Sequence, residues 1–172
     1  TGTGSWASSN TGVATVDASG VITAVSAGTA TISYTITGGC GGTRTASQNI
    51  TIHPNAAIAS VTGTSAICIG STTSLTANGV VLGGTGVGAW SSSNTAVATI
   101  NGSGVVTGLS AGTTTITYTI TGGCAGTVSA SLTITVNANT ILTAQPTALQ
   151  EICFGASFSA ISVSAIGANL GY

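Results

Sequence analysis

The chain has 172 residues, with one Lys or Arg against two Asp or Glu and a formal net charge of −1. A single cation, Arg44, cannot neutralise a run of phosphates or hold an anionic lipid surface, which excludes nucleic-acid binding and electrostatic membrane attachment. Gly, Thr, Ser and Ala dominate, so hydroxyls and amides must wet the surface, and nowhere do about 18 apolar residues run together to span a bilayer.

The first stretch, TGTGSWASSN, reads as the middle of a fold and carries no signal peptide, so the natural termini are expected outside the sequence. After it come a turn at Asp17, Ala18, Ser19 and Gly20 and then the uncharged run AVSAGTATISYTITGGC, Ala24 to Cys40. That run recurs almost unchanged as GLSAGTTTITYTITGGC, Gly108 to Cys124. Trp6 and Trp90, Val21 and Val105, Tyr34 and Tyr118, and Cys40 and Cys124 are each 84 positions apart, so the chain is a tandem array. This period is too long for a solenoid and suits a small domain with its own core. Residues 1–54 are read as the C-terminal part of a first repeat, 55–138 as a complete second repeat, and 139–172 as the N-terminal part of a third unit. HPNAA and NANT mark the junctions.

Within the complete repeat the hydrophobic period is two. Leu75 marks a short strand in TTSLTA. Val97 to Thr107 is predicted to be a hairpin whose Asn101-Gly102 and Gly104 accept positive φ. From Thr114 to Thr121, Ile116, Tyr118 and Ile120 share one face while Thr115, Thr117, Thr119 and Thr121 take the other. SLTITV repeats the pattern with Leu132, Ile134 and Val136 inward. No helix of useful length is written. The predicted class is all-β, as tandem antiparallel β-sandwich domains.

The stretch WSSSNTAVATINGSGVVTGLSAGTTTITYTITGGC, Trp90 to Cys124, resembles the group 2 bacterial immunoglobulin-like domain, whose pattern runs S-x-N, V-A-x-V, G-x-V-x-G, A-G-x-x-x-I. The first repeat carries the pattern as WASSNTGVATVDASGVITAVSAGTATISYT. Copies with an added Cys-x-Gly and a late Gly-Gly-Cys are similar to those in giant surface proteins of Bacteroidota, including gliding-motility adhesins. The resemblance implies an immunoglobulin-like fold, an extracellular cell-surface location and neighbouring repeats of the same polypeptide as partners. The third unit departs from the pattern: Gln145-Pro146, Cys153-x-Gly155, Phe158 and the closing Tyr172 look like a different immunoglobulin-like type.

Four cysteines allow three pairings. Cys68 precedes the first core strand of the complete repeat and Cys124 follows its long Thr-rich strand, so these two are the expected disulfide, with Cys40 and Cys153 pairing outside the chain. Such a staple over 56 positions would add about 4 kcal/mol in the loop-entropy description and implies an oxidising compartment. Zinc is disfavoured because no Cys-x-x-Cys pair or His cluster exists.

No catalytic, metal or cofactor residue is assigned. Asp17 and His53 could be drawn into a serine triad, yet the second repeat places Asn101 and Asn137 at those positions, and His53 beside Pro54 reads as a junction residue. Glu151 stands alone, so the paired carboxylates of glycoside hydrolysis are absent. A Lys–Asn isopeptide staple is impossible without Lys. Asn49-Ile50-Thr51 and Asn101-Gly102-Ser103 match the glycosylation sequon. Trp6 and Trp90 could stack on a sugar, but are read with Tyr34 and Tyr118 as structural core residues. The expected function is a structural stalk in a large repetitive surface adhesin, with surface polysaccharide or lateral filament contacts as further partners. The alternative is a secreted or surface carbohydrate-binding module that acts by avidity.

Overall fold

A computed structural model describes residues 2–144, 154 and 164–166. Every regular element among the described residues is a β-strand, as the β-branched content and the period-two alternation require. The chain divides into two compact units: Thr1–Ala57 with Val80–Gly88 and Ile120–Val128, and Ile58–Gly79 with Ala89–Thr119 and Ser129–Tyr172.

The first unit contains β1 (Thr3–Ser8), β2 (Ala14–Val16), β3 (Ile22–Ala24), β4 (Gly28–Thr37) and β5 (Arg44–Ile52). An antiparallel sheet runs in the order β1-β4-β5, with Trp6 opposite Tyr34 and Gly28 opposite Ile52, while β2 and β3 form a hairpin. Its core is small: Val13, Ala14 and Ala30, with Ile50 and Ile52 against them. The segment after β5 is held by backbone bonds, from Ala56 N–H to the Cys124 carbonyl at 2.8 Å and from Cys124 N–H to the Gly83 carbonyl at 2.9 Å.

The second unit is built on β6 (Ser60–Thr62), β7 (Ala66–Cys68), β8 (Thr72–Ser74), β9 (Thr76–Asn78), β10 (Val87–Ser92), β11 (Ala98–Ile100), β12 (Val105–Gly108), β13 (Gly112–Thr121) and β14 (Val128–Asn137). One sheet has the order β10-β13-β14-β7, a second β11-β12-β8, and β6 pairs with β9. The β14–β7 pair is parallel, with Val136 beside Ile67; the pairs β12–β8 and β11–β12 are antiparallel. Ile116, Ile134, Val136 and Val106 from the long strands and β12 meet Val61, Ile67 and Leu75 in one cluster. Trp90, Tyr118 and Leu132 pack on its rim. The inward face expected for Ile116 and Ile134 is therefore the core face, and Leu75 lies buried between β8 and β9.

Thr114 shares that inward face and is buried too. Its hydroxyl lies 3.0 Å from Ser92 Oγ and accepts the Asn94 N–H at 3.0 Å, which removes the cost of burying a polar group. Further along, β15 (Ile141–Ala144) pairs antiparallel with β16 (Ser164–Ile166). The features at Gln145, Pro146, Glu151, Cys153, Phe158 and Tyr172 lie outside the described residues.

Two expectations are corrected. In the hairpin, only Gly104 takes positive φ, at 83°; Asn101 contributes its side chain, whose carbonyl accepts the Ser103 and Val105 N–H groups, both at 3.0 Å. The Cys68–Cys124 staple is also absent, since both thiols are free and exposed. Cys68 stands opposite Asn137, the last residue of β14, while Cys124 lies in the turn before its first residue. A strand of 10 residues, about 30 Å, separates those ends, and a disulfide needs Cα atoms within about 7 Å.

Candidate functional site

The residues that recur at the 84-position spacing are tied together in the same way in both repeats. The S-x-N motif is an Asx turn: Asn10 Oδ1 accepts the Gly12 N–H and Asn94 Oδ1 accepts the Ala96 N–H, each at 3.1 Å. The Ser of the following S-A-G motif closes over that turn, with Ser26 Oγ donating to the Gly12 carbonyl and Ser110 Oγ to the Ala96 carbonyl, each at 2.7 Å. Between them Ala14 and Ala98 are fully buried. The hairpin loop is fixed by Asp17 in one repeat and Asn101 in the other: Asp17 Oδ1 accepts the Ser19 N–H at 2.8 Å and the Val21 N–H at 2.9 Å.

Over each hairpin glycine lies a tryptophan ring. A Cβ on Gly20 would come within 2.9 Å of the Trp6 ring, and one on Gly104 within 3.4 Å of Trp90 Nε1 and 2.6 Å of the Leu75 carbonyl. Each tryptophan also meets a tyrosine, with ring centroids 4.8 Å apart for Trp6 and Tyr34 and 4.9 Å for Trp90 and Tyr118. The two pairs differ in surroundings. Trp90 and Tyr118 pack on the main cluster, whereas Trp6 is 38% exposed and lies outside the small core of its unit. Trp6, Gly20, Ile22, Ile32, Tyr34 and Ala46 line a shallow groove of about 290 Å³.

A second depression, of about 380 Å³, is polar and lined by Ser9, Thr29, Thr31, Asn49 and Thr51. Its groups are engaged with one another: Thr31 Oγ1 donates to Asn49 Oδ1 at 2.7 Å, and Ser9 Oγ accepts the Thr31 N–H at 2.8 Å. The second repeat has Thr133 at the position of Asn49, while Ser9, Thr29, Thr31 and Thr51 recur as Ser93, Thr113, Thr115 and Thr135. His53 follows β5 and lies beside Gly84, and the Asp17 carboxylate is occupied by its own loop. Among the described residues no three His, Cys, Asp or Glu side chains gather as a metal site. No helix among them is long and apolar enough to cross a membrane.

Residues 46–121 match the model of the bacterial Ig-like domain (group 2), and residues 1–38 match that of the intimin immunoglobulin-like domain. Residues 1–38 and 46–121 are thus recognised as bacterial immunoglobulin-like domain sequence. The motifs just described are thus the turn and core positions of this family's fold. No curated protein sequence matches significantly. Among solved structures, domains 1–6 of the surface layer protein SbsC align at 20% identity over 81% of this chain and 20% of that one, with a TM-score of 0.33. A C-terminal 282-residue fragment of intimin, in complex with the intimin-binding domain of its translocated receptor, aligns at 16% identity over 81% of this chain and 54% of that one, with a TM-score of 0.42. Cadherin domains 3–6 of protocadherin gamma B2 align at 15% identity over 98% and 51%, with a TM-score of 0.36. The chain spans about a fifth of the S-layer protein it matches.

Proposed function

We propose that this chain is a stalk segment of a large, repetitive bacterial cell-surface protein, in which each immunoglobulin-like bead contributes length and a separate region contributes adhesion. One observation carries the reading: the turn residues recur between the repeats, while no Asp, Arg or His of the first repeat recurs in the second. Asn10 and Asn94, Ser26 and Ser110, Ala14 and Ala98, and Trp6 and Trp90 keep their places. Asp17, Arg44, Asn49 and His53 are replaced by Asn101, Val128, Thr133 and Asn137. A glycan-binding array acting by avidity would repeat its whole polar lining, whereas Asn49, the amide of the polar depression, is replaced by Thr133.

The same reading makes the segment non-enzymatic and extracellular, with sister repeats as its immediate partners. Gliding adhesion fits it as the specific role of the whole protein. An antibody raised against residues 55–138 and applied to intact cells tests the proposal. Surface labelling, with no retention of the purified chain on surface polysaccharide, is the expected result. Saturable retention of the purified chain would replace the stalk with the carbohydrate-binding reading.

A further inference from the structure

The chain contains two Asn-Gly dipeptides, Asn78-Gly79 and Asn101-Gly102, and the fold sets them in opposite surroundings. In this dipeptide a side-chain amide stands next to the least shielded of backbone nitrogens, because glycine has no Cβ. Asn101 and Gly102 lie exposed in the loop between β11 and β12. A Cβ on Gly102 would meet nothing within 4 Å, and the Gly102 N–H makes no hydrogen bond among the described residues. The Asn101 amide is held by its oxygen: Oδ1 accepts the Ser103 and Val105 N–H groups, both at 3.0 Å, while Nδ2 has no partner among the described residues. Asn78 is held the other way round. It ends β9 with its backbone paired to Ser60, and its Nδ2 is directed at Thr62 Oγ1 at 2.9 Å, the Thr76 carbonyl at 3.3 Å and Ser60 Oγ at 3.4 Å. A Cβ on Gly79 would come within 2.8 Å of Ala59 Cβ.

We propose that Asn101-Gly102 is a self-modification site, at which the chain converts its own asparagine through a cyclic imide, and that the fold spares Asn78-Gly79. The Gly102 backbone nitrogen attacks Asn101 Cγ. The N–Cγ bond forms, the Gly102 proton passes through solvent to Nδ2, and the Cγ–Nδ2 bond breaks to release ammonia. Water then opens the ring at Cγ to give aspartate or at the main-chain carbonyl to give isoaspartate, so water is the only co-reactant. Negative charge builds on Oδ1 during the attack, and two backbone amides already point at that atom, which is the arrangement that stabilises an oxyanion. At Asn78 the hydrogen bonds hold the departing nitrogen instead, and no amide faces the oxygen among the described residues. The first repeat shows what the aspartate product does. Asp17 fixes the equivalent loop with the same two bonds, at 2.8 Å to Ser19 N–H and 2.9 Å to Val21 N–H. The isoaspartate product carries its main chain through the side-chain carbons, which lengthens the loop and moves the acceptor. Either product adds a negative charge to a chain whose formal net charge is −1. The site is independent of the stalk reading, because it concerns one loop and not what the array does.

The test incubates the full chain in mildly alkaline buffer, native and in denaturant. Both dipeptides are followed by peptide mapping with mass spectrometry and by enzymatic methylation of isoaspartate. In the native chain Asn101 is expected to convert roughly tenfold or more faster than Asn78, by loss of ammonia and then gain of water. In denaturant the two should convert alike, which assigns the difference to the fold. Gly102→Ala, for which the loop has open space, should slow conversion at Asn101 by roughly tenfold, because the added methyl shields the attacking nitrogen. Chain that carries isoaspartate should unfold at a lower denaturant midpoint than the variant Asn101→Asp. Equal native rates at the two dipeptides, a faster Asn78, or an Asn101 that converts in denaturant but not in the native chain overturns the proposal.

Discussion

Gly104 is the residue on which the second hairpin turns. Its φ of 83° and the 2.6 Å approach of the Leu75 carbonyl to a Cβ leave no room for a side chain. Gly104→Ala is expected to destabilise the unit by about 1–3 kcal/mol in denaturant unfolding. Gly102→Ala, two residues away with nothing within 4 Å, should stay within about 0.5 kcal/mol of the native chain. Equal effects at the two glycines would contradict this account of the loop. Asn101→Ala removes an acceptor for two backbone amides and should cost about 1–2 kcal/mol, whereas Asn101→Asp should be tolerated because Asp17 does the same work in the first repeat. The position of this turn was legible from Asn-Gly between two apolar runs. Which glycine is left-handed was not, because an asparagine can serve a turn through its backbone or through its side chain, and both write the same dipeptide.

At the scale of elements, β13 and β14 carry the stability of the second unit. Ile134 is fully buried among Ile116, Val106 and Val136, and Ile134→Ala should cost about 2–5 kcal/mol. Thr133→Ala on the exposed face of the same strand should cost no more than about 0.5 kcal/mol. A reversal of that order would mean the strand is inverted. Both long strands were legible because alternation survives over 10 residues. The parallel pairing of β7 with β14 was not, since strands of three residues carry too little pattern to announce a partner about 70 residues away. That missed register also explains the cysteines. Position in the repeat suggested that Cys68 and Cys124 should meet, while the register sets them at opposite ends of β14. Native alkylation without reductant should therefore label Cys40, Cys68 and Cys124, and reductant should leave the unfolding midpoint unchanged. A fall in that midpoint on reduction would show a staple after all.

For the whole molecule, the near absence of charge decides how the array meets its surroundings. With three ionised residues in 172, neither fold nor contacts can draw on long-range electrostatics, so the unfolding midpoint should be nearly flat between dilute buffer and physiological salt. A steep salt dependence would point to charge-mediated binding that the sequence does not contain. The repeat itself, its period and its immunoglobulin-like motifs were all visible in the sequence, because turn and core positions are where a bead has least freedom to vary. The central claim is that the bead at 55–138 serves by its length. The most direct measurement replaces that bead, in the protein that carries it, with an unrelated immunoglobulin-like domain of equal length and compares cell attachment with a deletion of the same bead. The stalk account predicts that deletion weakens attachment and that the foreign bead restores it. Attachment lost in both would show that the surface of this bead, and not its length, does the work.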